Sequence, residues 1–284
     1  KPDIAIVQGD TTTAFCGALT AHYHQITIGH VEAGLRTGNK FSPFPEEINR
    51  RLIGRLADVH FPPTQHAETA LLDEGVDPAT VFVTGNTVID TLLLTRQRVL
   101  EQTPEQAKPL VEMIGGKRVV LVTGHRRESH GEGFENICQS IRKVADAHDD
   151  VIFIYPVHLN PNVQEPVNRI LSDHERIHLI APLSYEPFVW LMNAADIVLT
   201  DSGGVQEEAP SFGKPVLVMR DTTERPEGVT AGNAKLVGTD PIKIETELNS
   251  LLNDPAAYAA MSEATNPYGN GTASKQIADA LVKL

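Results

Sequence analysis

Short apolar runs rich in β-branched residues alternate along this chain with amphipathic stretches, and the alternation constrains the fold more than any other feature. Alternating strands and helices are typical of a parallel sheet with crossover helices. Most of the runs are apolar throughout, which indicates strands covered on both faces. We therefore predict an α/β fold with strands at 4–10, 26–34, 57–61, 81–85, 119–124, 151–157, 177–183, 196–201 and 214–220.

The length of 284 residues favours two domains over one, because a domain usually contains about 150 residues. The stretch 100–117 holds several prolines and glycines, and it is typical of a linker or a surface helix that leads into the second domain. Only four strand signals precede Gly85, whereas doubly wound domains have about five or six strands. The chain also opens on Lys1 almost directly into a strand, so we expect the first domain to lack its first strands.

Charge and hydropathy exclude several classes of partner. Lys and Arg number 24 against 37 Asp and Glu, and the net charge of -13 argues against nucleic acid and anionic membranes, which need a broad basic surface. No apolar run approaches the roughly 18 residues of a membrane span, and no secretory signal pattern opens the chain. We expect a cytoplasmic protein in which any phosphate site is built locally.

Missing motifs exclude several chemistries. The chain has no GxGxxG after a strand and no GxxxxGK[ST], which argues against NAD binding and P-loop hydrolysis. None of the five tyrosines is followed by lysine four residues later, so the Tyr/Lys pair of NAD-dependent sugar epimerases is absent. Cys16 and Cys138 lie outside any Cys/His ligand spacing. We expect no cofactor and no metal.

Polar residues gather just after the apolar runs, where parallel α/β sheets bind ligands. Asp10 follows the first run, Glu32 follows the second, and His125 follows VVLVTG. Glu46 and Glu47 follow a pair of prolines. Each has an ordinary alternative, as a helix cap, a first-turn acid for the helix dipole or a packed histidine. Their location on one edge of the predicted sheet favours a functional role.

The clearest local device is the turn Ser202–Gly204 after the run 196–201. Asp201 or Ser202 can cap the next helix, and the two glycines allow close approach to its N-terminus, which suits a diphosphate. Glu208, about one turn further, can accept hydrogen bonds from a ribose diol. The alternative is a tight strand-to-helix turn with a capping serine.

Nine segments identify a family when they are read together. They are GDTTT at 9–13, GHVEAGLRTG at 29–38, PFPEEINR at 43–50, TGNTVID at 84–90, TGHRRES at 123–129, YPVHLNPNV at 155–163, LTDSGGVQEEAP at 199–210, GKPVLVMRDTTERPE at 213–227 and NPYG at 266–269. In this order they resemble the non-hydrolysing UDP-N-acetylglucosamine 2-epimerases of bacteria, and the resemblance covers essentially the whole chain.

The resemblance implies two Rossmann-like domains of the glycosyltransferase B type, here 1–84 with 271–284 and 85–270, in a homodimer. It implies reversible epimerisation at C2 between UDP-GlcNAc and UDP-ManNAc without NAD or metal, supplying ManNAc for cell-surface polysaccharide. In such a reaction UDP is eliminated to leave a glycal, and UDP adds back after C2 receives a proton on its other face.

The resemblance also implies roles for particular residues. For catalysis the residues are Asp10, Glu32, Glu46 and His125. For binding UDP they are Leu183, Phe188, Ser202, Gly203, Gly204, Glu208 and Arg225. Among these, the Phe188 ring and the Leu183 backbone would hold uracil, although the pattern alone suits Phe188 as helix core nearly as well.

Two alternatives to an active epimerase stay open. The family begins with a strand and a G-T-R-P-E loop whose Arg, with a later Lys, lines the substrate pocket, and nothing in this chain corresponds to it. We therefore expect the chain as printed to be a fragment that is inactive or impaired. The alternatives are a retaining glycosyltransferase of the same fold and a UDP-sugar-binding module without activity.

Overall fold

The structure is a computed structural model that describes residues 2–283. The chain divides into two compact units, Lys1–Thr91 with Pro267–Leu284 and Leu92–Asn266. The sequence-based domains, 1–84 with 271–284 and 85–270, stay a prediction.

The first unit is built on a parallel sheet in the order β1-β2-β3, with strands β1 (Ile4–Gln8), β2 (Thr27–Val31) and β3 (Val59–Phe61). Its helices are α1 (Thr12–Tyr23), α2 (Glu46–Leu56), α3 (Gln65–Asp73) and α13 (Ala273–Leu281). Helix α4 (Thr87–Glu101) begins in this unit and ends in the next. Threonine side chains start two of the helices, since Thr11 accepts from Ala14 N–H and Thr64 from Ala67 N–H, both at 3.1 Å.

One sequence prediction for this unit is wrong. The run 81–85 is not a strand: Val81 forms a single bridge with His60, after which the chain makes only scattered backbone bonds beside β3. Three residues of β3 give too short a ladder to pair the whole run.

The second unit has a parallel sheet in the order β6-β5-β4-β7-β8-β9. The strands are β4 (Arg118–Thr123), β5 (Val151–Pro156), β6 (Ile177–Ile180), β7 (Ile197–Thr200), β8 (Val216–Val218) and β9 (Ala234–Leu236). The helices are α5 (Lys108–Ile114), α6 (Glu132–Ala147), α7 (Pro161–Leu171), α8 (Tyr185–Ala194), α9 (Gly203–Glu208), α10 (Pro226–Ala231), α11 (Pro241–Asn253) and α12 (Pro255–Ser262). The prediction of an α/β fold with parallel sheets is confirmed.

The core of the second unit explains these elements. Val119–Val122 of β4 are completely buried, as expected for a central strand with helices on both faces. On α6 the buried positions recur every three or four residues, for example Phe134, Ile137 and Ile141, and they pack against the sheet. The stretch 100–117 contains the helix α5. The three-residue strand β9 was missed because its single short run, AKL, has no recognisable periodicity.

The strand order decides where a ligand site can form in this unit. The chain runs outward from β4 through β5 to β6 and then returns to β7 on the other side of β4. Such a switch point opens a crevice at the carboxyl ends of the two central strands. His125 follows β4 and Ser202 follows β7, so both lie at this crevice. Across residues 2–283, no helix combines the length and apolar character that a membrane crossing needs.

Candidate active site

Asp10 follows β1 and is held by α2. Arg50, whose side chain is buried, donates from Nε to Asp10 Oδ2 at 3.1 Å and also from Nη2. Asn49 Nδ2 donates to the Asp10 carbonyl at 2.9 Å. The capping alternative for Asp10 is wrong, because Thr11 caps α1 instead. Asp10 therefore has a fixed carboxylate whose charge is paired with a guanidinium.

Glu32 follows β2 in a strained backbone conformation. Its φ is +62°, in the left-handed region, which costs a non-glycine residue on the order of 1–3 kcal/mol. A Cβ added at Gly9 would lie 3.6 Å from Glu32 Oε2, so this carboxylate packs against the glycine that precedes Asp10. The Glu32 carboxylate thus lies beside the turn that carries Asp10.

Two buried histidines lie under these strand ends. His30 on β2 is paired in register with His60 on β3. His30 Nε2 lies 2.9 Å from the carbonyl oxygen of Gly9, to which it donates, and so it anchors the turn before Asp10. Burial, together with Arg36 nearby, lowers the pKa of each histidine to about 4. Both rings are therefore neutral at neutral pH.

The two adjacent glutamates at the start of α2 differ completely in environment. Glu47 is fully buried and accepts from the N–H groups of Thr37 at 3.1 Å and Gly38 at 3.2 Å. It also contacts Arg50 at 3.4 Å and Arg51 at 3.3 Å. Glu46 is half-buried, and its side chain makes no hydrogen bond or ion pair within residues 2–283. Glu47 thus has the structural role, and Glu46 is free to meet a ligand.

His125 is held at the end of β4 by Asp201 at the end of β7. The N–H groups of His125 and Arg126 each donate to Asp201 Oδ2 at 2.7 Å. The His125 ring stacks on His158 at 5.2 Å with an interplanar angle of 18°, and 43% of its side chain is exposed. Partial burial lowers the pKa of His125, with Asp201 opposing and His158 and Arg126 adding to the effect. The ring is therefore neutral and accessible.

The glycine turn differs from the sequence prediction in two ways. Neither Asp201 nor Ser202 caps α9: the Asp201 carboxylate turns to the β4 loop, and Ser202 makes no capping bond. The two glycines also have different functions. A Cβ at Gly203 would lie 3.1 Å from the Arg225 guanidinium, whereas a Cβ at Gly204 would meet nothing within 4 Å. Gly203 makes room for an arginine, and only Gly204 borders open space.

Arg225 is locked at the start of α9 by buried acids. Its Nε donates to Glu207 Oε1 at 2.7 Å, and its Nη1 lies 2.9 Å from Glu224 Oε1. Burial would raise the pKa of Glu224, but Arg225 and Arg220 outweigh this effect and lower it to about 2. Arg225 therefore offers a positioned guanidinium with much of its charge already balanced.

The predicted nucleoside residues lie on α8, on α9 and in the loop before α8, all in the second unit. Glu208 is buried, and burial together with Glu207 raises its pKa to about 7. Tyr185 donates from its hydroxyl to Glu208 Oε1 at 3.4 Å. Phe188 is only half-buried, so it is not helix core, and Leu183 is half-buried in the loop before α8.

Comparison with known proteins agrees with this geometry. The family model described as UDP-N-acetylglucosamine 2-epimerase matches residues 1–282. The chain is 55% identical to the UDP-N-acetylglucosamine 2-epimerase of Escherichia coli K12, over 99% of this chain and 76% of that protein. The chain belongs to the UDP-N-acetylglucosamine 2-epimerase family. The resemblance predicted from nine motifs is confirmed.

Solved structures of this epimerase family match the fold closely. The Neisseria meningitidis UDP-GlcNAc 2-epimerase bound to UDP-GlcNAc is 46% identical with a TM-score of 0.90, over 100% of this chain and 77% of that chain. The Staphylococcus aureus MnaA structure with UDP is 47% identical with a TM-score of 0.92, over 99% and 75%. The predicted Rossmann-like, glycosyltransferase B type architecture is confirmed.

Four residues that hold these candidate side chains in place were not among those to which the resemblance assigned a role. They are His30, Glu47, Arg50 and Asp201. His30 stands inside an apolar run, a position where a polar residue indicates a buried hydrogen bond. Nothing in the sequence distinguishes Glu47 from Glu46, because the two differ only in which way α2 turns them.

Proposed function

We propose that the protein to which this chain belongs interconverts UDP-GlcNAc and UDP-ManNAc by inverting C2 of the sugar. The observation that carries the proposal is the identity of 55% to the E. coli UDP-N-acetylglucosamine 2-epimerase over 99% of the chain. Family membership favours this isomerase over a retaining glycosyltransferase and over a binding module without activity.

The carboxylates of the first unit would act at C2. The proton on C2 is not next to a carbonyl, so a base can remove it only as the C1–O bond breaks and UDP leaves with that electron pair. The electrons of the C2–H bond then form the C1=C2 double bond of a glycal. In the return step, an acid protonates C2 on the other face and a UDP oxygen attacks C1. Asp10, Glu32 and Glu46 are the groups that we assign to these proton transfers.

The second unit would bind UDP. Gly204 borders open space at the start of α9, where backbone N–H groups favour the diphosphate. His125 would add a neutral imidazole that can donate or accept a hydrogen bond. Arg225 would add a guanidinium that Glu207 holds in position. Glu208 would accept from the ribose hydroxyls, with Phe188 and the Leu183 backbone at uracil. These groups would stabilise the negative charge that develops on UDP as it leaves.

We also propose the setting in which the reaction takes place. The protein would work in the cytoplasm as a homodimer and supply ManNAc units for cell-surface polysaccharide. Nucleotide sugars are activated donors that are used inside cells. The net charge of -13 is typical of a protein surface that is exposed to water.

The proposed function is tested by hydrogen exchange at C2. The full-length protein, incubated with UDP-GlcNAc in heavy water without added NAD or metal, is expected to place deuterium at C2 of both UDP-GlcNAc and UDP-ManNAc. The solvent supplies the returning proton, so the label enters with each turnover. Mass spectrometry and proton NMR of the sugars measure it. Epimerisation with the C2 hydrogen retained, or only with NAD, would contradict the elimination mechanism.

Nucleotide binding is tested separately with Ser202→Ala and Glu208→Gln. We expect each variant to bind UDP about tenfold more weakly in calorimetric titration, because each loses a hydrogen bond to the ligand. Matched controls are Ser172→Ala and Glu175→Gln, whose exposed side chains precede β6 at the opposite edge of the sheet. Unchanged affinity in both site variants would mean that the glycine turn is only structural.

A further inference from the structure

Asp201 has two carboxylate oxygens with different surroundings. The side chain is buried, and Oδ2 accepts two short hydrogen bonds, at 2.7 Å, from the N–H groups of His125 and Arg126. Oδ1 has no hydrogen-bond partner among residues 2–283. His125 Nδ1 lies 3.4 Å from Oδ1. The loop is therefore held by one oxygen, while the other faces the imidazole.

A buried carboxylate oxygen without a donor is costly, so the proton of His125 is favoured on the nitrogen that faces it. A neutral imidazole carries only one proton, and placing it on Nδ1 leaves Nε2 bare. The charged and titratable groups that face the ring are Asp201, His158 and Arg126. Burial, His158 and Arg126 lower the pKa of His125 although Asp201 opposes them, so the neutral ring and its tautomer are the relevant state at neutral pH.

We propose that Asp201 is a positioning residue that holds His125 as the Nδ1–H tautomer and presents Nε2 to the ligand. In the ligand-free protein Nε2 is unprotonated. When a diphosphate binds, its negative charge favours a second proton, taken from solvent, on Nε2. The imidazolium then lies between the Asp201 carboxylate and the phosphate oxygens. This second step rests on the proposed function, whereas the tautomer in the free protein does not.

The substitution Asp201→Asn separates this role from a structural one. The amide oxygen of Asn can take the place of Oδ2 and keep both backbone hydrogen bonds. The amide nitrogen then takes the place of Oδ1 and can only donate, so it faces Nδ1 as a donor. The ring must move its proton to Nε2. The two hydrogen bonds that hold the loop would be preserved in this variant, while the tautomer of His125 would be reversed.

The test is nitrogen-15 NMR of the protein labelled in its histidine rings, with the His125 signal identified by its loss in His125→Gln. We expect the free wild type to show a protonated Nδ1 and a bare Nε2, and UDP to protonate both. In Asp201→Asn we expect the reversed tautomer, retained backbone amide signals of His125 and Arg126, and about tenfold weaker UDP binding.

The outcomes separate the two proposals. A wild-type ring with its proton on Nε2 would overturn the role of Asp201, and this measurement holds even if the variant does not fold. An unchanged tautomer in a folded Asp201→Asn protein would overturn it as well. If the tautomer reverses as expected but UDP at millimolar concentration leaves the ring unaffected, the positioning role stands and the proposed UDP site fails.

Discussion

Replacing Asp10, Glu32 or Glu46 by its amide is expected to lower turnover of UDP-GlcNAc by roughly a hundredfold or more, with little change in UDP affinity. An amide has nearly the shape of the carboxylate but cannot take or give a proton at C2. The three groups belong to the first unit, whereas the residues that we assign to UDP belong to the second. We therefore expect slower turnover of UDP-GlcNAc together with a nearly unchanged affinity for UDP.

Turnover, UDP affinity and melting temperature should be measured for each variant in the full-length protein. Asp73→Asn, an exposed acid at the end of α3, is the matched control and should behave as wild type. Asp10→Asn should also melt lower because it weakens the pairing with Arg50. Normal turnover per folded molecule in all three site variants would end the assignment of the catalytic carboxylates.

The first unit is expected to lose stability steeply as the pH falls from about 6.5 to about 4. Folded His30 and His60 have a pKa of about 4, whereas in the unfolded chain the value is 6.5. The unfolded state therefore binds more protons in this window, and acid favours unfolding. Each shift is worth roughly 3 kcal/mol, so both together approach the total stability of many domains. Above pH 6.5 the effect is absent.

The two units can be followed separately during urea unfolding at pH 7 and pH 4.5. The only tryptophan, Trp190, lies in α8 and reports on the second unit, while circular dichroism follows both. His30→Gln and His60→Gln remove the titrating groups, and both variants should flatten the pH dependence of the dichroism transition. His66→Gln, an exposed histidine, should leave it unchanged. A wild-type first unit equally stable at both pH values would contradict the buried neutral pair.

The prediction of β4, β5, β7 and β8 in the second unit succeeded because each is a continuous apolar run that is buried on both faces. It failed at 81–85, where the run is equally apolar but its neighbour β3 has only three residues. An apolar pattern indicates that a segment is buried, but burial alone does not specify that the segment forms a ladder of hydrogen bonds with a neighbouring strand. The interpretation of Asp10 and Asp201 as helix caps was wrong because both carboxylates accept hydrogen bonds from groups that are distant in sequence.

The sequence by itself determined the fold class, the family and the polar residues at the strand ends, because strand periodicity and motif order are properties of neighbouring residues. Only the tertiary structure decided which of these residues act together. The pairing of Asp10 with Arg50 spans 40 residues and that of His125 with Asp201 spans 76. It also separated Glu46 from Glu47, which are identical in type and adjacent in sequence. Helix α2 turns Glu47 into the interior, where it bonds two backbone N–H groups, and leaves Glu46 without a protein partner among the described residues.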